Sequence, residues 1–483
     1  MNYQRVFRIL GLVLYVLAVA ELFPVLWCFG PSGADWLSAT GLISGAAMSA
    51  IIGLIFRAFG RDEGELYRRE GVLIVVGSWF MASLVGAIPY LVSGAIVSPM
   101  DAIFETASGF TTTGASILVD IEAVSRPILM WRSFTQWLGG IGIIVIFVAL
   151  LSELGSGARF LYQLEVPGPK SAILTTRVRE TALALFRIYI LLSAVQVMLM
   201  LLLGVSFYDA LAHTFATLST GGFSPYADSV GHFSSAVQFV VLVFMLAAGV
   251  NFSLYFALAT SRSLAVLQDA EFRFYLSVAA VASLIVSVDV FMGEFTDSRL
   301  EATLDGTFQV VSLLTSTGFA TMDFGAWSGA AQTILMVLMF AGGCAGSTAG
   351  GAKMMRVMLG WKIAMREVRL TYSPNSVIAV TLGGRVVAEE SLRSVIALLF
   401  LWVMAWGFGA VALSFGDTDI LTAATASLAT LSNIGPGLGD VGPTENFSFY
   451  ADWQKLVMVI LMWLGRLEFF SLLALIMPQF WRR

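Results

Sequence analysis

Apolar residues run along this chain in ten long blocks, at roughly 6–28, 37–58, 71–93, 130–151, 183–206, 236–259, 274–293, 331–358, 394–415 and 453–477. Blocks of this length with so few charges are long enough to cross a bilayer as helices. The eighth is interrupted by glycines. Between blocks three and four, five and six, seven and eight, and nine and ten lies a shorter, less apolar stretch. The pattern predicts an all-α polytopic membrane protein. Two leading transmembrane helices (1–69) precede four helix–short stretch–helix units at 70–158, 159–262, 263–369 and 370–483.

The four short stretches are copies of one another. Each can be anchored on a glycine: Gly114, Gly222, Gly318 and Gly435. The three residues before the anchors are Thr111, Thr112 and Thr113; Ser219, Thr220 and Gly221; Thr315, Ser316 and Thr317; and Ser432, Asn433 and Ile434. Thirteen positions before each anchor stand Asp101, Asp209, Asp305 and Thr422, all good helix N-caps. Nine residues lie between cap and first hydroxyl, a helix of about 13 Å and about half the hydrocarbon thickness. Non-helical backbone at that depth is tolerated only where protein buries it or it lines a water-filled path. Four short helices, each ending in such a strand, fit a ring of carbonyls that replaces the hydration shell of a cation. Their negative C-terminal ends, aimed inward, and acidic caps at the outer mouth favour the same charge. The anchors are 108, 96 and 117 residues apart, the period of a whole membrane unit rather than of a solenoid.

Composition narrows the class. Of 483 residues 58% are hydrophobic and 12% charged, with a mean hydropathy of +0.85, so no separate soluble domain is expected. The N-terminus runs into an apolar block without a small-residue cleavage site, which predicts an uncleaved first helix. Cys28 and Cys344 are too few for a disulfide framework or a Cys/His metal site. Basic residues gather in alternate connections: Arg57, Arg61, Arg68 and Arg69; Arg159, Lys170, Arg177, Arg179 and Arg187; Arg262 and Arg273; Lys362, Arg366, Arg369, Arg385 and Arg393; Arg482 and Arg483. The opposite connections are acidic, from Asp120 and Glu122 through Asp228, Glu294, Asp297 and Asp323 to Asp417, Asp419, Asp440 and Glu445. Positive residues stay inside, so the short stretches enter from outside and both termini face the cytoplasm. No phosphate loop, dinucleotide fingerprint, H-E-x-x-H or hydrolase elbow occurs, and an enzymatic function is not expected.

The motifs FTTTGAS, LSTGGFS, TSTGFAT and LSNIGPG resemble the four filter sequences of the Trk/Ktr superfamily of potassium uptake proteins. RSFTQWLGGIGI (132–143), AGGCAGSTAGGAK (341–353) and MWLGRLEFF (462–470) resemble that family's segments after the first, third and fourth filters. The two leading helices match the TrkH type rather than the shorter KtrB type. The resemblance covers nearly the whole chain. It implies K+ as the transported ion at the filter residues, with no organic cofactor. It also implies a homodimer in the bacterial inner membrane, one pore per protomer, gated by a cytosolic nucleotide-binding ring of the TrkA type; no nucleic acid partner is implied. Because Ala115, Phe223, Phe319 and Pro436 make the four quarters unequal, sodium is expected to be rejected less strictly than by a four-fold symmetric filter.

Glycines through a span can be a helix-packing face. In the eighth block, however, Gly342, Gly343, Gly346, Gly350 and Gly351 interleave with Ser347 and Thr348. The family resemblance makes 341–352 an intramembrane loop below the filter that acts as the gate. Lys353 at its end is expected to hold a closed state by pairing with a carboxylate that the sequence does not identify. Arg466 stands in the middle of the tenth block, either satisfied by buried carbonyls or another carboxylate, or facing the conduction path as a barrier to cations. Glu468, two residues on, is poorly placed to pair with it. Arg132 and Gln136, one turn apart, are expected to brace the first filter loop, and Glu105 to pair behind it with Arg132. Glu21 is a lone acid in the first span, and His213 and His232 read as ordinary polar neighbours. The competing function is a secondary symporter coupling potassium to sodium or protons, which needs broken helices and buried acids. A single interrupted block and few such acids favour the pore.

Overall fold

The computed structural model describes residues 1–30, 33–60, 67–142, 178–261, 264–296 and 298–482. The basic positions Arg61, Arg159, Lys170, Arg177, Arg262 and Arg483, the acidic Asp297 and the end of the fourth block beyond 142 lie outside the described residues. The architecture is helical, with two short hairpins at Phe29–Gly30/Gly33–Ala34 and Thr381–Leu382/Arg385–Val386.

Among the described residues six spans are long and apolar enough to cross a membrane: Tyr3–Cys28, Trp36–Phe59, Arg68–Val92, Ala182–Leu202, Ala270–Met292 and Glu389–Leu413. Their outward residues are apolar, as Leu54, Leu284 and Phe408 show by their exposure; lipid solvates such a face. The leading pair, Tyr3–Leu22 and Trp36–Phe59, closes at glycines, where a Cβ on Gly11 would come within 2.7 Å of the Gly53 carbonyl oxygen. Small residues let membrane helices approach this closely. Glu21 is buried at this contact and accepts from Ser49 Oγ at 2.9 Å, so it joins the two leading helices.

The second helices of the last three units break, and the described part of the first unit's second helix ends at Gly140. Arg126–Gly140 stops before Gly142, whose φ is 77°. Ser235–Ala248 and Phe252–Ala259 meet at 90°. Gly329–Ala341 and Met354–Tyr372 are separated by 342–353. Asp452–Arg466 and Phe470–Ile476 are separated by Leu467–Phe469, with φ of 54° at Glu468 and 59° at Phe469. The sequence pattern marked only the break at 342–353. The sixth and tenth blocks look continuous because Val250, Leu467 and Phe469 keep apolar side chains beside Gly249, Asn251 and Glu468. Arg466 is therefore the end of a helix rather than the middle of a span.

Between the helices of each unit a short pore helix descends: Pro99–Phe110, Phe207–Leu218, Arg299–Leu314 and Ile420–Leu431. Asp101, Asp209, Asp305 and Thr422 are not their N-caps. The caps are Ser98, Ser206, Ser298 and Asp419, whose side chains accept from the backbone N–H groups of Asp101, Asp209, Glu301 and Thr422. Asp101 and Asp209 fall at the third helical position, where an acid also suits the helix dipole. Three of the helices thus have 12 residues and the third has 16.

Candidate functional site: a ring of four helix ends above a broken layer

Each pore helix ends in the same way. The second residue after the helix carries a left-handed backbone: Thr112 (φ 55°), Thr220 (55°), Ser316 (54°) and Asn433 (52°). Its N–H bonds back to Gly109, Thr217, Leu313 and Thr430, and the next N–H bonds to Ser108, Ala216, Ser312 and Ala429 at 2.8–2.9 Å. This is a Schellman closure, and it places a non-glycine residue where glycine is usual. The anchor glycines follow at φ of 82°, 76°, 79° and 98°. From helix cap to anchor φ therefore alternates in sign, a backbone that turns successive carbonyls to one side and successive N–H groups to the other.

The four anchors close on one another. A Cβ on Gly114 would strike the carbonyl oxygen of Gly221; on Gly222, that of Thr317; and on Gly318, that of Ile434. A Cβ on Gly435 would lie 2.9 Å from the carbonyl oxygen of Thr113, which returns the ring to its first member. Each anchor thus faces the residue just before the anchor of the next unit. All four also line a single outer concavity with Ser116 and Glu445. Thr111, Thr112, Thr113, Ser219, Thr220, Thr315, Ser316, Thr317, Ser432 and Asn433 are fully buried. Thr111 and Thr113 share a 2.8 Å hydroxyl bond, as do Thr315 and Thr317. In the second and fourth units Gly221 and Ile434 replace the outer threonine, and Asn433 Nδ2 reaches across to Thr113 Oγ1 at 2.9 Å.

Buried side chains brace this ring from behind. Arg132 Nε meets Glu105 Oε1 at 2.5 Å, and Glu105 accepts from Ser116 Oγ and the Ile117 N–H. Arg132 also donates to the Ser224 carbonyl at 3.0 Å and lies 3.5 Å above the Phe223 ring. Gln136 braces the second of the four strands, not the first: Nε2 donates to the Gly221 carbonyl at 2.6 Å and Oε1 accepts from the Phe223 N–H at 3.0 Å. The helix that carries both residues is wedged between two quarters, which periodicity alone does not reveal. His213 sits beside the Asp209 carbonyl and Ser224 Oγ as an ordinary polar neighbour. At the outer rim Asp101 is paired with Lys455 at 2.5 Å rather than free at the mouth.

Beneath the ring is a second cavity, lined by Gly140, Ser347, Lys353, Asn433, Arg466 and Glu468 among others. Residues 342–353 fill its side. Gly346 accepts from the Phe252 N–H at 3.0 Å, and Thr348 Oγ1 donates to the Leu218 and Ala248 carbonyls. The Gly350 N–H donates to Ser316 Oγ, and the Gly351 N–H donates to the Ser432 carbonyl at 2.9 Å. Gly342 and Gly351 pack backbone to backbone where the loop returns on itself, and a Cβ on Gly343 would lie 3.0 Å from the Gly249 carbonyl oxygen. Arg466 spans this layer. It donates to Thr112 Oγ1 at 3.1 Å, to the Thr348 carbonyl at 2.9 Å, and to the Gly139 and Gly140 carbonyls at 2.5 and 3.0 Å. Lys353 Nζ donates to the Ala349 carbonyl of its own loop, so its hydrogen bond is not to the carboxylate expected. Glu468 pairs with Arg356 at 2.6 Å instead of with Arg466. Glu271 bonds the loop from behind, accepting from the Ala345 and Met355 N–H groups. The sequence did not single it out, and one signal was available: the helix after the loop begins with a lysine and has no capping residue of its own.

Residues 42–482 match the TrkH family, described as a cation transport protein. The Trk system potassium uptake protein TrkH of Salmonella typhimurium is 36% identical over 488 residues, covering all of both chains. The protein of the same name from Escherichia coli K12 is 35% identical over 488 residues, again covering all of both. The crystal structure of the potassium transporter TrkH from Vibrio parahaemolyticus superposes with a TM-score of 0.89 at 32% identity, covering all of both chains. The chain belongs to the TrkH family of cation transport proteins.

Proposed function

We propose that this chain carries potassium into the cell through the ring of Gly114, Gly222, Gly318 and Gly435. The closed sequence of contacts, in which each anchor glycine faces a carbonyl of the next quarter, carries the proposal. A cation on that axis exchanges its water for backbone oxygens, and the negative ends of four pore helices lower the cost of bringing it there. Thr111 to Thr113, Ser219 to Gly221, Thr315 to Thr317 and Ser432 to Ile434 line the filter in this reading. Ala115, Phe223, Phe319 and Pro436 leave its quarters unequal, and sodium is rejected incompletely.

Residues 342–353, with Gly342, Gly343, Gly346, Ser347, Thr348, Gly350, Gly351 and Lys353, act as the gate below the filter. Arg466 adds a fixed positive charge that opposes cation passage while the loop is in place. The cytosolic partner is a nucleotide-binding ring of the TrkA type, in keeping with relatives named as parts of a Trk system. The chain acts as a homodimer in the inner membrane, with both termini in the cytoplasm.

One observation favours a carrier. The second helices of the last three units are broken, and discontinuous helices are how secondary transporters build their sites. Recordings from the purified chain in a planar bilayer with symmetric potassium separate the two. Unitary currents support the pore; slow, gradient-coupled flux without them supports the symporter.

A further inference from the structure

The loop at 342–353 is gripped by opposite polarities on its two sides. Toward the ring, Arg466 takes the Thr348 carbonyl at 2.9 Å. On the other side, Glu271 Oε1 accepts from the Ala345 N–H at 2.6 Å and from the Met355 N–H at 3.1 Å. One carboxylate oxygen therefore ties the first half of the loop to the first turn of the helix after it. Glu271 is 3% exposed and stands in the first turn of Ala270–Met292.

The helix Met354–Tyr372 needs such a group. Its N-cap is Lys353, at a φ of 73°, and the lysine side chain makes no capping bond. The first-turn N–H groups of a helix lack intrahelical partners, and the dipole there favours an anion. Glu271 supplies both acceptor and charge from a different helix, at the second residue of the one it caps. A hydrogen bond to a charged acceptor is stronger than a neutral one, and losing the acceptor leaves two N–H groups without a partner in a buried place.

We propose that Glu271 is the positioning residue that latches the intramembrane loop in its closed place, a role that rests on reading 342–353 as the gate. It fixes Ala345 and Met355 so that Thr348 meets Arg466, and opening requires its release. Its own helix follows the Leu264–Gln268 turn. A displacement of that connection moves the latch without any contact to Arg466.

Cys344, beside Ala345 and 1% exposed, is a native reporter of the loop. In a Cys28→Ser background, purified protein in vesicles is labelled with a polar maleimide, and potassium leak is recorded on the same preparations. Glu271→Ala is expected to label about tenfold faster than its parent. Glu271→Gln, which keeps an acceptor oxygen without the charge, is expected at about threefold, with leak rising in the same order. A folded Glu271→Ala protein that labels at the parent rate overturns the latch. If that variant does not fold, Glu271→Gln decides, and parental labelling and leak there overturn it equally. Faster labelling with unchanged leak upholds the latch and instead removes the gate assignment.

Discussion

The ring and the layer directly beneath it are built from the same four units yet obey different symmetries. In the ring the quarters agree in detail: the same two closing bonds, left-handed φ between 52° and 55° at the second residue, and a left-handed glycine two residues later. In the layer below, the four helices that follow end their first described segments in four different ways. One bends by 90°, one stops at a glycine, one turns through two left-handed residues, and one opens into 342–353. Under the proposed function an ion on the axis meets every quarter at once, so the ring has to be equivalent where the oxygens are. The proposed gate needs to obstruct from one side only, which leaves the lower layer free to differ.

Substitutions can break this contrast. The largest effect is expected from Gly318→Ser in the ring. The left-handed backbone there costs a side chain about 1–2 kcal/mol, and the new Cβ collides with the Ile434 carbonyl of the next quarter. Potassium-over-sodium discrimination in vesicle flux should fall about tenfold or more, whereas Gly329→Ser, with open space around it, should leave it unchanged. Equal discrimination in both variants would remove the ring from the site.

A smaller and different change is expected below the ring. Arg466→Ala releases the Thr348 carbonyl and the Gly139 and Gly140 carbonyls, and potassium flux should rise several-fold, about 1 kcal/mol in barrier terms. Ion discrimination should stay within twofold. A loss of discrimination without a gain in rate would show that the two layers are not separable. The smallest effect on transport is expected at the rim, where a buried Lys455 pairs with the partly exposed Asp101. Lys455→Met should lower stability by about 1–3 kcal/mol by leaving Asp101 unpaired, read as a melting temperature, with flux unaltered.

Much of this was legible along the chain. The apolar blocks, the four copies of the short stretch and the interruption at 342–353 are all local patterns, and each has its counterpart among the described residues, the fourth block as far as residue 142. Glu105 and Arg132 also pair as the sequence suggested, because both stand on helices of one unit. The caps did not emerge correctly: Ser98, Ser206 and Asp419 start the helices three residues earlier than expected, since Asp101, Asp209 and Thr422 at the third helical position are residue types that also serve as caps. The breaks within the sixth and tenth blocks were hidden as well. Apolar residues such as Val250 and Leu467 continue the hydrophobic pattern through a backbone that is no longer helical.

The sequence by itself determined the membrane class, the four-fold repetition and the identity of the ring residues, because hydrophobic length and residue order along one segment set these. Only the tertiary structure decided which quarter faces which, that Gln136 serves the second strand, that Lys353 finds a carbonyl, and that Glu271 caps a helix more than eighty residues away. These are meetings between distant segments. Many partners of the right polarity exist for each buried donor or acceptor, and packing alone selects one.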